Sequence, residues 1–220
     1  MNYRIFIQAR MSSARFPGKM LAPFRGRPLI AQVLGRFRET DLWGHLVVLT
    51  SSDASDDPLA DFVVNRCGVP VFRGDLDDVV GRFQSALSEH PCPWFVRISG
   101  DSPLIDPALV QAMIDLCAPD YDLVSNVVRR TFPPGQSVEC VRSETFRILR
   151  SVELTGDQRE HVTKVFYERP GTWRVRSVTS TRPEKASTRM VVDTIEDLRD
   201  LEARDNFSPA FAALAMPEVA

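Results

Sequence analysis

Neither sign of charge dominates this sequence: 27 lysines and arginines stand against 29 aspartates and glutamates in 220 residues, a formal balance of −2. No global field therefore draws the chain toward nucleic acid or a membrane surface, and any polyanion it binds must be met locally. Paired cysteines are missing as well. Cys67, Cys92, Cys117 and Cys140 are scattered without a CxxC spacing in apolar or strand-like surroundings, which argues against a disulfide framework or a zinc site and for reduced, packing thiols. Long hydrophobic runs are absent too: the first apolar stretch is broken by Arg4 and Arg10 and is too short for a secretory core or a spanning helix. The expectation is a soluble, cytoplasmic protein with no nucleic-acid or membrane partner.

There is no internal repeat and no low-complexity tract. What is present is an alternation of periods. Tyr3 to Gln8, Leu46 to Thr50, Val69 to Phe72, Trp94 to Ser99 and Leu123 to Ser125 are short β-rich runs. Between them, Leu29 to Phe37, Pro58 to Cys67, Asp77 to Glu89 and Pro107 to Cys117 carry apolar residues at helical spacing. Strand and helix in turn imply βαβ units, hence an α/β fold with a mostly parallel central sheet and helices on both faces. Asp106-Pro107 and Asp57-Pro58 each place an N-cap before a first-turn proline, and Thr194 with Asp197 forms a capping-box pattern opening Ile195 to Arg204. The expected organisation is one domain over residues 1–207 with an excursion, a loop or small β-arm, at Arg129 to Val141 (RRTFPPGQSVECV), and a C-terminal tail from Ser208.

The loop leaving the first strand, QARMSSARFPGK, is cationic. In open α/β sheets ligands settle at the carboxyl ends of strands, and Arg10, Arg15 and Lys19, with Ser12, Ser13 and Gly18, offer charged forks, hydroxyls and close backbone access suited to a chain of phosphates. It is neither a GxxxxGK[ST] loop nor a GxGxxG turn. A solvated basic loop is the plainer reading of the same residues. Two later segments, VRISGDSPLIDP and VVDT, each end a strand-like run on an aspartate, Asp101 and Asp193. Two bare carboxylates about 4 Å apart would repel by roughly 4 kcal/mol at an effective dielectric near 20. A divalent cation reverses that sign, and magnesium with oxygen ligands fits better than zinc. Otherwise Asp101 shapes a turn and Asp193 caps the last helix.

Taken together, IQARMSSARFPGKML, RGDLDDVVGRF, VRISGDSPLIDP, REHVT and MVVDTIEDL, in this order, resemble the spore-coat polysaccharide biosynthesis F-type cytidylyltransferases, related to the acylneuraminate and 3-deoxy-manno-octulosonate cytidylyltransferases. The resemblance runs from Ile7 to about Leu198. It implies a nucleotidyltransferase fold of the glycosyltransferase-A kind that transfers CMP from CTP to an acidic sugar with release of pyrophosphate. It also implies that Arg10, Arg15 and Lys19 hold the triphosphate and that Asp101 and Asp193 bind Mg2+, with Arg10, Lys19, Asp101 and Asp193 as the catalytic set. The cytosine is expected on the backbone of Ala9 to Met11, with Ser51 and Asp75 as candidates for base or ribose, and Ser13 is a further nucleotide-binding candidate. Asp75, Asp77 and Asp78 are equally good caps for the following helix. Glu139, Arg159 and His161 are candidates for the sugar, Arg159 through a bidentate carboxylate contact; packing by Val162, Val165 and Phe166 already accounts for the helix that bears His161.

The chain departs from the family pattern at Ser12, where glycine is usual, at Ala14, which removes a hydroxyl, at Ser102 in place of cysteine, and at Ser137, where relatives carry an aspartate. A nucleotide-sugar-dependent glycosyltransferase and a non-catalytic nucleotide-binding module stay open beside the cytidylyltransferase. Two separated aspartates, instead of a compact DxD, favour nucleotidyl transfer. The oligomeric state is also open; because relatives are commonly homodimers, Arg129 to Val141 is a candidate contact arm.

Overall fold

A computed structural model describes residues 2–204 and the backbone of 218–219. Its elements, in chain order, begin with β1 (Tyr3–Gln8), a small hairpin of β2 (Pro23–Phe24) and β3 (Arg27–Pro28), α1 (Leu29–Gly35), β4 (Leu46–Ser51), α2 (Asp57–Phe62), β5 (Val71–Gly74), α3 (Val79–Glu89) and β6 (Trp94–Ser99). They continue with α4 (Pro107–Asp115), β7 (Leu123–Ser125), β8 (Glu139–Arg142), α5 (Ser143–Ile148), α6 (Gly156–Glu160), α7 (Lys164–Glu168), β9 (Val175–Thr179), α8 (Ile195–Ala203) and β10 (Glu218–Val219).

The central sheet has the order β10-β9-β7-β8-β6-β1-β4-β5. β5, β4, β1 and β6 are parallel neighbours, as are β7 and β9, while β8 runs antiparallel between β6 and β7 and β10 runs antiparallel to β9. Side chains alternate across β1, so Ile5 and Ile7 face a core with Leu29, Ile30 and Val33 of α1 and Leu109, Val110 and Met113 of α4. Phe6 faces the other core, with Phe83 of α3, Phe95 of β6 and Phe146 of α5 at ring-centroid separations of 5.0–6.4 Å. Each such fully buried side chain contributes about 2 kcal/mol, and having one core on each face makes the sheet a rigid floor.

Two expected elements move. The strand read at Val69 to Phe72 lies at Val71–Gly74, and the helix read at Pro58 to Cys67 is α-helical only to Phe62, then closes through a π-turn at Val63–Cys67. Asp57 is the first helical residue of α2 and not its cap, because the cap position belongs to Asp56, whose carboxylate is engaged elsewhere. Asp106 caps α4 by accepting the Ala108 N–H, and Thr194 and Asp197 form the capping box of α8. Within the excursion read at Arg129 to Val141, Glu139 to Val141 belong to β8, and Phe132, Gln136 and Val138 are buried within the chain. The tail expected from Ser208 lies outside the described residues except for Glu218–Val219, which pairs with β9.

Register brings the candidate segments together. Gln8 pairs with Leu49 on one side and Ser99 on the other, so β1, β4 and β6 end at one level. The loops after β1 and β6 then meet: Gly100 N–H donates to Gln8 O at 2.8 Å, and a Cβ on Gly100 would sit 2.9 Å from Ala9 Cβ. Only glycine permits that approach. The PPG turn does similar work further along. Gly135 has φ of 98° and lies against Met190, whose N–H donates to Pro134 O at 2.8 Å; Val192 N–H in turn donates to Asp101 O at 2.9 Å. A segment distant in sequence thus delivers Asp193 to the end of β6.

Candidate active site

The first loop is built on Asp56. This carboxylate is fully buried and accepts the Met11 N–H at 2.6 Å, the Ser51 N–H at 2.9 Å and the Ser51 hydroxyl at 2.5 Å. Burial pushes the group up, but these hydrogen bonds outweigh it and hold it below the usual carboxylate range. With Met11 pinned, its carbonyl accepts the N–H groups of Ser13 and Gly18, each at 2.9 Å, and the loop curls back over the sheet edge.

That curl turns Lys19 inward. Its ammonium is buried and donates to Asp101 Oδ2 at 2.7 Å, to Val192 O at 2.8 Å and to Asp193 Oδ1 at 3.5 Å. Arg15 reaches Asp193 Oδ1 at 2.9 Å from the solvent side, and Arg189 meets Asp193 Oδ2 at 2.7 Å. The other carboxylate oxygen of Asp101, Oδ1, is buried and has no partner among the described residues. A cleft of about 290 Å³ opens here, lined by Arg10, Arg15, Lys19, Arg97, Asp101 and Asp193 among others. Ala9 and Ser13 also line it.

The remaining candidates are distributed less evenly. Arg10 borders the cleft and pairs with Glu160 of α6 at 3.2 Å. Ser51 lies beneath the loop, with its hydroxyl given to Asp56, and does not line the cleft. Asp75 closes its own turn, accepting the N–H groups of Asp77 and Asp78 at 2.8 and 2.7 Å, and Asp78 caps α3 through Gly81 N–H. Arg159 is drawn to Asp78 at 3.4 Å, and His161 stands exposed, 3.4 Å from Asp157. Glu139 is buried and receives Arg97 Nη1 at 2.5 Å, the Thr163 hydroxyl at 2.6 Å and the Tyr167 hydroxyl. Burial, then the charge of Glu139, raises the Tyr167 phenol well above its ordinary value, so it stays a donor.

Asp56, Arg97 and Arg189 are the participants that the sequence reading passed over. Arg97 carried a signal, a charge inside a central strand. Asp56 and Arg189 carried none, because each acts through a partner set by the fold. Arg189 also grips Asp197 in a fork at 2.6 and 3.1 Å. This bond is the main reason the Asp197 carboxyl falls to about 2, against burial, which raises it. The stabilisation is complete above the ordinary value of 3.8 and is lost as pH falls through about 2. In Arg189→Met, NMR titration should find the Asp197 carboxyl moved back up, and the α8 amides should begin to exchange faster at a higher pH than in the parent. A parent Asp197 that titrates near 3.8 would remove this prediction.

Comparison with known proteins settles the family. The sequence profile of the family described as cytidylyltransferase matches residues 5–206. The chain belongs to the cytidylyltransferase family. It is 30% identical over 213 residues to the spore coat polysaccharide biosynthesis protein SpsF of Bacillus subtilis, covering 92% of this chain and 86% of that one. Among solved structures, a cytidylyltransferase from Leptospira borgpetersenii superposes with a TM-score of 0.87 at 30% identity, over 92% of this chain and 85% of the other. A CMP:2-keto-3-deoxy-manno-octonic acid synthetase complexed with CTP superposes with a TM-score of 0.65 at 19% identity, over 92% and 98%, a likeness of fold. Membership in the cytidylyltransferases decides for nucleotidyl transfer over glycosyl transfer, and the fold is the nucleotidyltransferase one. No helix among the described residues is long and apolar enough to cross a membrane.

Proposed function

We propose that this chain transfers CMP from CTP to an acidic sugar, releasing pyrophosphate, as a cytoplasmic step in making surface polysaccharide or glycoconjugate. The observation that carries the reading is the meeting of Lys19, Asp101, Asp193 and Arg15 at one cleft. In the proposed arrangement the base lies on the backbone of Ala9 to Met11, and the polyphosphate lies along the first loop. A sugar hydroxyl attacks the α-phosphorus in line. The new P–O bond forms as the bond to pyrophosphate breaks and the hydroxyl proton passes to solvent, with Lys19 and Arg15 meeting the charge that leaves. Catalysis is then positioning and charge neutralisation with no covalent enzyme intermediate.

The donor set fits a divalent cation. Asp101 Oδ1 is a buried carboxylate oxygen with no partner among the described residues, and Asp193 converges on the same ammonium that Oδ2 meets. No group of three or more His, Cys, Asp or Glu is placed for a metal among the described residues, which suits magnesium held by one or two carboxylates and completed by phosphate oxygens and water. Asp101 and Asp193 would hold Mg2+, which supplies charge neutralisation at the α-phosphate and acidifies the attacking hydroxyl.

The test is pyrophosphate release from CTP and Mg2+ with a panel of acidic sugars that includes 3-deoxy-manno-octulosonate and N-acetylneuraminate. Release is expected with CTP and an acid, and not with CTP alone. Tight CTP binding without release on any acid would overturn the proposal in favour of a non-catalytic nucleotide-binding module.

A further inference from the structure

Arg97 has a place in the cleft that nucleotide binding leaves unexplained. It sits within β6, in register with Phe6 of β1 and Glu139 of β8. A guanidinium in the middle of a sheet is costly unless it is held, and this one is held from two sides. Nε and Nη2 donate to Gln8 Oε1 at 3.3 and 3.1 Å, while Nη1 donates to Glu139 Oε2 at 2.5 Å. These bonds leave part of the five-donor fork uncommitted, and 24% of the side chain is open at the cleft.

Glu139 meets Arg97 through one oxygen only. That carboxylate also receives the hydroxyls of Thr163 and Tyr167, so donors other than Arg97 satisfy its second oxygen. The other cations that line the cleft are directed elsewhere, Lys19 and Arg15 to the aspartates and Arg10 to Glu160, and Arg159 nearby turns to Asp78. Position adds a second argument. The loop backbone of Ala9 to Met11 is fastened to the β4 side, through Leu49 O and Asp56. Arg97 lies further from β4, on β6, with its guanidinium between Gln8 of β1 and Glu139 of β8. A nucleotide whose base lies at the β4 side and whose phosphates follow the first loop leaves this flank to the acceptor.

We infer that Arg97 selects the acceptor by receiving its carboxylate through the uncommitted edge of the fork, with Gln8 and Glu139 fixing its orientation. The inference rests on the acidic-sugar reading above and assigns the acid recognition to Arg97 instead of Arg159 or His161. A planar fork held in advance loses little entropy on meeting a carboxylate, and a site built to bond that group rejects an acceptor lacking it.

The experiment compares the parent, Arg97→Lys and Arg97→Met with CTP and Mg2+. Each is given an acid that the parent turns over and the same sugar with its carboxyl reduced to a primary alcohol. In Arg97→Met, the ratio of kcat/KM for the acid to that for the alcohol is expected to fall about a hundredfold, mainly through the KM for the acid. Arg97→Lys, which keeps a charge opposite Glu139, should fall about tenfold on the acid, and it decides the matter if Arg97→Met does not fold. Undiminished preference for the acid, or equal losses on acid and alcohol with weakened CTP binding, would overturn the inference. No pyrophosphate release by the parent on any acid removes the proposed function and this inference together. Active variants with unchanged preference remove this inference alone.

Discussion

An Asp101→Asn protein is expected to fold, to bind CTP, and to release pyrophosphate at least about a thousandfold more slowly than the parent. The structural part of the expectation follows from how little Asp101 does for the fold with its side chain. Oδ2 accepts from Lys19 at 2.7 Å, and Oδ1 is buried with no donor among the described residues. An unpartnered buried carboxylate oxygen weakens a folded protein, so replacing the charge by an amide of the same shape should change stability by no more than about 1 kcal/mol. The amide oxygen can still face Lys19, which also keeps Val192 O and Asp193. The chemical part follows from the opposite consideration. Each factor of ten in rate corresponds to about 1.36 kcal/mol of barrier, and a carboxylate that holds a Lewis acid at the reacting phosphate controls several kcal/mol. Thermal unfolding and pyrophosphate release measured on one preparation separate the two effects. A folded Asp101→Asn protein with parental turnover would take the carboxylate out of the reaction.

The contrast between a legible loop and illegible supports has a physical basis. QARMSSARFPGK stood out because cations, hydroxyls and glycine directly follow an apolar strand, and local order along the chain is all that such a signal requires. Asp101 and Asp193 were legible for the same reason, as strand ends. Their convergence was not, since it depends on the bond from Val192 N–H to Asp101 O and on a Gly135 turn packed against Met190. β8 was hidden because it is four residues long, begins on Glu139 and ends on Arg142, and runs against the parallel alternation that revealed the other strands. Motif position marks Glu139 as a candidate for the sugar, while its anchoring by Arg97, Thr163 and Tyr167 is set by the fold. Asp56 lies 45 residues from the backbone N–H that it fixes, a pairing that only the sheet creates. The sequence therefore discloses groups whose role is carried by chain order. Groups whose role is carried by a partner across the sheet become visible only in three dimensions.

Lys19→Met should show the largest coupled effect on stability and activity. In the absence of a divalent cation the substitution is expected to cost about 3 kcal/mol, because breaking a buried ion pair leaves the remaining charge uncompensated. That burden falls on the Asp101 carboxylate, whose one polar partner among the described residues is Lys19, whereas Asp193 retains Arg15 and Arg189. Methionine keeps most of the apolar stem, so the loss reports the ammonium and not the packing around it. Mg2+ should then raise the Tm of Lys19→Met more than that of the parent, since the carboxylates no longer have the ammonium between them and a ligand of the folded state stabilises by mass action. Turnover should nevertheless fall about a hundredfold or more, because a positive charge aimed at the departing phosphates is gone. Equal Tm shifts with Mg2+ in both proteins would mean that Asp101 and Asp193 do not share a cation. In the parent the same competition implies weak Mg2+ binding without nucleotide, strengthened when a polyphosphate draws the Lys19 ammonium toward itself. By linkage, Mg2+ must then tighten CTP binding by the same factor, which calorimetry of each ligand in the presence of the other measures.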